Sequence, residues 1–181
     1  MGRFRREYLL PFAPLSVNNA YGARCIKAGS RYLPSRFLDS RYRHYKDVIK
    51  ERIIITNLIE GDVPPLRFVG MDFTFIFERS SFWEKTTGNV KKKDVSNLFK
   101  LLEDAFAEEM GLDDRNNLCV FGRKYCVDDG TLSVEPVCFG KDKRGKDKKP
   151  PTTDRAIIQV VVTEMLEEDI PWLGNVLTTP G

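Results

Sequence analysis

Between Met71 and Glu78 the chain alternates Met71, Phe73, Phe75 and Phe77 with Asp72, Thr74, Ile76 and Glu78. A period of two over that length predicts a β-strand with at least one face buried. Two other stretches recur at three- and four-residue steps, as a helix packed on a sheet requires. Leu38, Tyr42, Tyr45, Ile49 and Ile53 predict an amphipathic helix over roughly residues 36–59, ended by Gly61 and Pro64-Pro65. Leu98, Leu101, Leu102, Ala105 and Phe106 predict a second, from residue 96 or 97 to 109. Further strands are expected at residues 6–12, 118–127, 131–138 and 157–163, the middle pair joined as a hairpin through Asp128-Asp129-Gly130. Residues 21–34 and 80–90 lack clear periodicity and read as loops. The order β-α-β-α-β-β-β predicts an α+β fold, a mixed β-sheet packed against two main helices. With 181 residues the chain suits one core, so a single domain is expected over residues 1–168, with a C-terminal tail at 169–181.

Composition sets few limits on function. A net charge of +3 is too small to announce a polyanionic partner, and only its local distribution informs. No stretch approaches the roughly 18 to 20 uncharged residues of a membrane span, and the N-terminal residues lack the apolar run of a signal peptide, so a cytoplasmic protein is expected. Cys25, Cys119, Cys126 and Cys138 show no C-x-x-C spacing, and a single histidine disfavours a Cys/His zinc site.

The chemistry concentrates between Lys91 and Asp114. Lys91, Lys92 and Lys93 precede Asp94, and residues 101–114 hold six acidic side chains and no basic one. On the second helix Asn97, Lys100 and Asp104 fall within about 60° of one another. Hydrolysis of a phosphodiester needs an activated water and neutralisation of charge on the phosphate. Mg²⁺ held by carboxylates supplies both, and a nearby lysine adds a fixed positive charge. Asp94, Asp104, Asp114 and Lys100 are of the right types. On spacing alone an ordinary account comes first, with Asp94 as a helix N-cap and Asp113-Asp114 as a turn.

The string Asp94-Val95-Ser96-Asn97-Leu98-Phe99-Lys100, followed by Asp104-Ala105 and Leu112-Asp113-Asp114, resembles the signature of the RusA family of Holliday-junction resolvases. That family shows Asp-x-Asp-Asn-Leu-x-Lys, an Asp-Ala later on the same helix and a following Asp-Asp pair. Pro14-Leu15-Ser16-Val17-Asn18, with Tyr21, is similar to its opening Pro-Pro-Ser-x-Asn turn, and the likeness spans roughly residues 7–127.

The resemblance implies a RusA-like homodimeric endodeoxyribonuclease acting in DNA recombination and repair, in a bacterial or phage-infected cell. Such an enzyme binds branched DNA, a four-way junction, and makes paired nicks with Mg²⁺, Mn²⁺ being the alternative ion. Asp94 and Asp114 match metal ligands, Lys100 matches the motif lysine important for catalysis, and Asp104 matches the helix aspartate; Asp104 or Asp113 can substitute for the ligand absent at Ser96. Lys91, Lys92, Lys93 and Asn18 are the DNA-binding candidates. Ser96 departs from the pattern, since the family carries a second aspartate there. It can act through a metal-bound water or cap the helix, and its presence opens a rival expectation, a RusA-like branched-DNA-binding protein with weakened or lost catalysis.

Smaller signals have two readings each. The loop bearing Lys141, Lys143, Arg144, Lys146, Lys148 and Lys149 is a solvated connection or a DNA contact. Phe82 and Trp83 pack over the core edge or stack on opened bases. Arg3, Arg5 and Arg6 form a backbone-contacting arm or a disordered end, and His44 reads as a surface residue.

Overall fold

A computed structural model describes residues 3–17, 21–28, 31–91, 94–113, 117–141, 144–150 and 152–169. Its main sheet has four strands, β1 (Arg5–Leu10), β4 (Val69–Glu78), β5 (Asn117–Val127) and β6 (Ala156–Glu164), in the spatial order β1-β6-β4-β5. β4 pairs antiparallel with β6 and parallel with β5, so the sheet is mixed, and the chain is α+β as the element pattern predicts. Two long helices, α1 (Ser40–Glu60) and α3 (Val95–Glu109), cover one face, and a short helix, α2 (Arg79–Phe82), follows β4. The core lies between these layers. Met71, Phe73, Phe75 and Phe77 from β4 and Ile158, Val160 and Val162 from β6 meet Tyr45, Ile49 and Ile53 of α1 and Leu98, Leu102 and Phe106 of α3. Across the opposite face, register aligns Glu7 with Val161, Asp72 and Phe121, and there Leu9, Phe121 and Tyr125 are exposed. Among the described residues no helix is long and apolar enough to cross a membrane.

Three segments differ from expectation, the first being residues 80–82, which were expected in a loop and belong to the short helix α2. Residues 21–34 are no loop: β2 (Tyr21–Ala28) and β3 (Arg31–Leu38) form a two-stranded antiparallel ribbon outside the main sheet. The ribbon also takes the first residues assigned to the first long helix, which starts at Ser40 behind Asp39, whose carboxylate accepts from the Arg41 N–H at 2.8 Å. Residues 131–138 form no strand, so the expected hairpin is absent. The edge that β5 offers on one side belongs to β4, and the chain after Gly130 leaves the sheet. Its backbone is satisfied piecemeal: the Leu132 N–H donates to Glu78 Oε1, the Leu132 carbonyl accepts from Arg155, and the Glu135 N–H donates to the Pro11 carbonyl.

Two of the three N-terminal arginines are structural, and Arg5 is exposed on β1. Arg6 is 8 % exposed, and its guanidinium donates to Asn57 Oδ1 at 2.8 Å and to the Gly61 and Glu60 carbonyls at 2.7 and 3.3 Å, satisfying acceptors that the end of α1 leaves open. Arg3 pairs with Glu168 and Asp169 in a short 3₁₀ turn, Glu167–Asp169, just after β6.

Gly122 sets how closely α3 approaches the sheet. A Cβ there would overlap Val95 Cγ1 and lie 3.2 Å from Phe99 Cδ1. Val95 is β-branched and its χ1 is stiff, so it yields poorly. Gly122→Ala is expected to destabilise the protein by about 1–3 kcal/mol, the usual range for overpacking. Chemical denaturation checks this, and an unchanged midpoint would show that α3 does not rest on this glycine.

Candidate active site

α3 begins where its sequence asks it to. Asp94 has extended backbone (φ −67°, ψ 123°), and its Oδ1 accepts from the Ser96 N–H at 3.0 Å, the bond of an N-cap. The Ser96 hydroxyl donates to the same oxygen at 2.7 Å. Burial of Leu98, Leu101, Leu102, Ala105 and Phe106 turns the apolar stripe inward, and Phe99 stacks on Phe73 of β4 with ring centroids 5.7 Å apart. This leaves Asp94, Ser96 and Lys100 on the surface.

The Ser96 hydroxyl, then its N–H, and the charge of Lys124 hold the Asp94 carboxyl below its ordinary range. Lys124 arrives from β5. It stands at the register position of Phe75, on the row that contains Gly122, and this row faces α3. One end of α3 therefore presents an ionised carboxylate, a helix N-terminus and a lysine together. Backbone N–H groups there favour anions.

Lys100 pairs with Asp104 at 2.8 Å, one turn along α3, and with Glu103 at 3.7 Å. The expected shared face of Lys100 and Asp104 is thus an ion pair on the helix surface. Lys91 is half-buried, donating from its ammonium to the Ser80 carbonyl at 2.8 Å and from its N–H to the Phe82 carbonyl at 2.8 Å, so it closes the 80–90 segment. Phe82 packs against the core and touches Phe77, while Trp83 is partly exposed. His44 is exposed on α1. Asp114, Lys92, Lys93 and Asn18 lie outside the described residues. Among the described residues no three His, Cys, Asp or Glu side chains converge.

Sequence reasoning missed Lys124. Its signal was a lysine two positions after a glycine in a strand, on the face that α3 covers, and recognising it required knowing that β5 runs parallel beside β4. Comparison with protein-family models and with curated proteins finds no match.

The Asp94 shift has a pH consequence. A depressed carboxyl pKa favours the folded state above the unfolded value of about 3.9, and that contribution disappears as pH falls through the lower folded value. Ser96→Ala is expected to raise the Asp94 pKa toward its ordinary value, measured by NMR titration of the side-chain carboxyl. An unchanged titration would mean that Ser96 does not hold this group.

Proposed function

We propose that the chain is a divalent-metal-dependent endodeoxyribonuclease of the RusA type, which resolves Holliday junctions as a homodimer by paired phosphodiester hydrolysis. The observation that carries this reading is the exposed, ionised Asp94 at the N-terminus of α3, within the charge field of Lys124. The donor set suits Mg²⁺, which binds one or two carboxylates, keeps several waters and leaves room for substrate phosphate. Asp94 Oδ1 is taken by Ser96, so Oδ2 is the atom it offers, and Asp114 is the second ligand by resemblance. When bound there, Mg²⁺ or Mn²⁺ supplies water activation and charge neutralisation at the scissile phosphate. The chain's own groups do the rest. Lys124 and the first N–H groups of α3 draw a phosphate toward Asp94. Lys100, with Asp104 as its partner, adds a cation along the same helix, one that a phosphate oxygen can recruit from its ion pair.

A second reading has its own observation. Where the family carries an aspartate, Ser96 is a donor spent on Asp94, so an acceptor is lost and one oxygen of the remaining ligand is occupied. This favours a branched-DNA-binding protein with weakened or lost catalysis.

Cleavage of a synthetic four-way junction in Mg²⁺ or Mn²⁺ separates the two. Wild type is expected to cut, Asp94→Asn to lose at least about 100-fold, more than outer-shell residues usually cost, and Ser96→Asp to cut at lower metal concentration. Cutting by Ser96→Asp but not by wild type would establish the second reading. Absence of both cutting and junction binding would overturn both.

A further inference from the structure

The chain's modest net charge conceals a sharp segregation. Residues 21–43 carry six Lys or Arg against one acidic residue, and residues 141–149 carry six against two. Together they hold a net +9, which leaves the remainder with 17 basic and 23 acidic residues, a net −6. The single acid of the first segment, Asp39, is spent on capping α1 and pairing with Arg41.

The fold brings these two segments to one place. β3 runs into the N-terminus of α1, and Lys148 donates to Ser40 Oγ there at 3.1 Å. Asp39, Ser40, Arg41, Lys148 and Lys149 line one shallow cleft. From this foot extends the β2–β3 ribbon, eight residues per strand and so about 26 Å long. Its strands pair only with each other among the described strands, and Lys27 and Arg31, next to its turn, are exposed.

We infer that the β2–β3 ribbon and residues 144–149, with Lys148 and Lys149 at its foot, together form a second nucleic-acid contact, one that grips a plain DNA duplex arm through its phosphates. The B-DNA major groove, about 12 Å wide, admits a two-stranded ribbon, whereas the deep, narrow groove of A-form RNA does not, which is why DNA is the partner. Phosphate contacts by lysine and arginine supply affinity without sequence preference and with strong salt dependence. The contact needs no metal and no cleavage.

The test is fluorescence anisotropy with a labelled blunt DNA duplex about two helical turns long, in EDTA, over a range of salt. Lys27→Glu/Arg31→Glu is expected to weaken binding tenfold or more at low salt. Lys27→Gln/Arg31→Gln, a gentler change, is expected to lower the slope of log affinity against log salt by about two. Lys148→Glu/Lys149→Glu should weaken binding in the same sense. Arg5→Glu/Lys85→Glu, with the same change in net charge, should stay within twofold. Equal losses in this control and the ribbon variants, unchanged binding in the ribbon variants, or tighter binding of double-stranded RNA than of DNA would each overturn the inference. The melting temperature of each variant separates lost binding from lost folding. A wild type that binds duplex through the ribbon but cuts no junction would sink the nuclease reading and leave this inference standing.

Discussion

Everything in this molecule is organised around one row of side chains, Met71, Phe73, Phe75 and Phe77, none more than 1 % exposed. Each contributes about 1.5–3 kcal/mol by leaving water. β4 can bury that row because it has a strand on each side and helices above. Phe73 then carries the consequence to the candidate site, since Phe99 stacks on it and Val95 lies over Gly122. With two successive turns of α3 pinned to β4 and β5, the position of Asp94 follows from packing, and the capping bonds from Ser96 only orient its carboxylate.

The parts of the fold that were legible in sequence are those whose signal is local. The alternation in β4, the stripes of α1 and α3 and the apolar run of β6 each expose a periodicity that burial enforces. β2 and β3 carried no such signal: their sequences show no regular alternation, and the ribbon, whose strands pair only with each other among the described strands, holds Pro34 and Gly22 within them. Residues 131–138 erred in the opposite direction. Their alternating Leu132, Val134 and Pro136 resemble a strand, yet the chain there is held by Glu78, Arg155 and the Pro11 carbonyl. Glu78 is 1 % exposed, and the Arg155 guanidinium beside it holds its carboxyl below the usual range. That arrangement depends on residues 77 positions apart, and no local pattern announces it.

The site divides along the same line. Asp94 as a cap and Lys100 with Asp104 on one face follow from helical geometry and were readable. Lys124 was not, because parallel pairing of β5 with β4 is a property of the crossover between them. Ser96 gained its meaning only from the structure: its hydroxyl is turned back on Asp94 and helps hold that carboxyl below its ordinary range. The segregation of basic residues was present in the sequence but spread over two distant segments, and the bond between Lys148 and Ser40 is what unites them.

The claim on which the functional account turns is that Asp94 and Asp114 grip one divalent ion. Titration of the isotopically labelled protein with Mn²⁺ tests it directly, because paramagnetic broadening marks residues near the ion. The expected result is early loss of amide signals around Asp94 and Asp114 together, abolished by Asp94→Asn. Broadening confined to other acidic surfaces and insensitive to that substitution would contradict it.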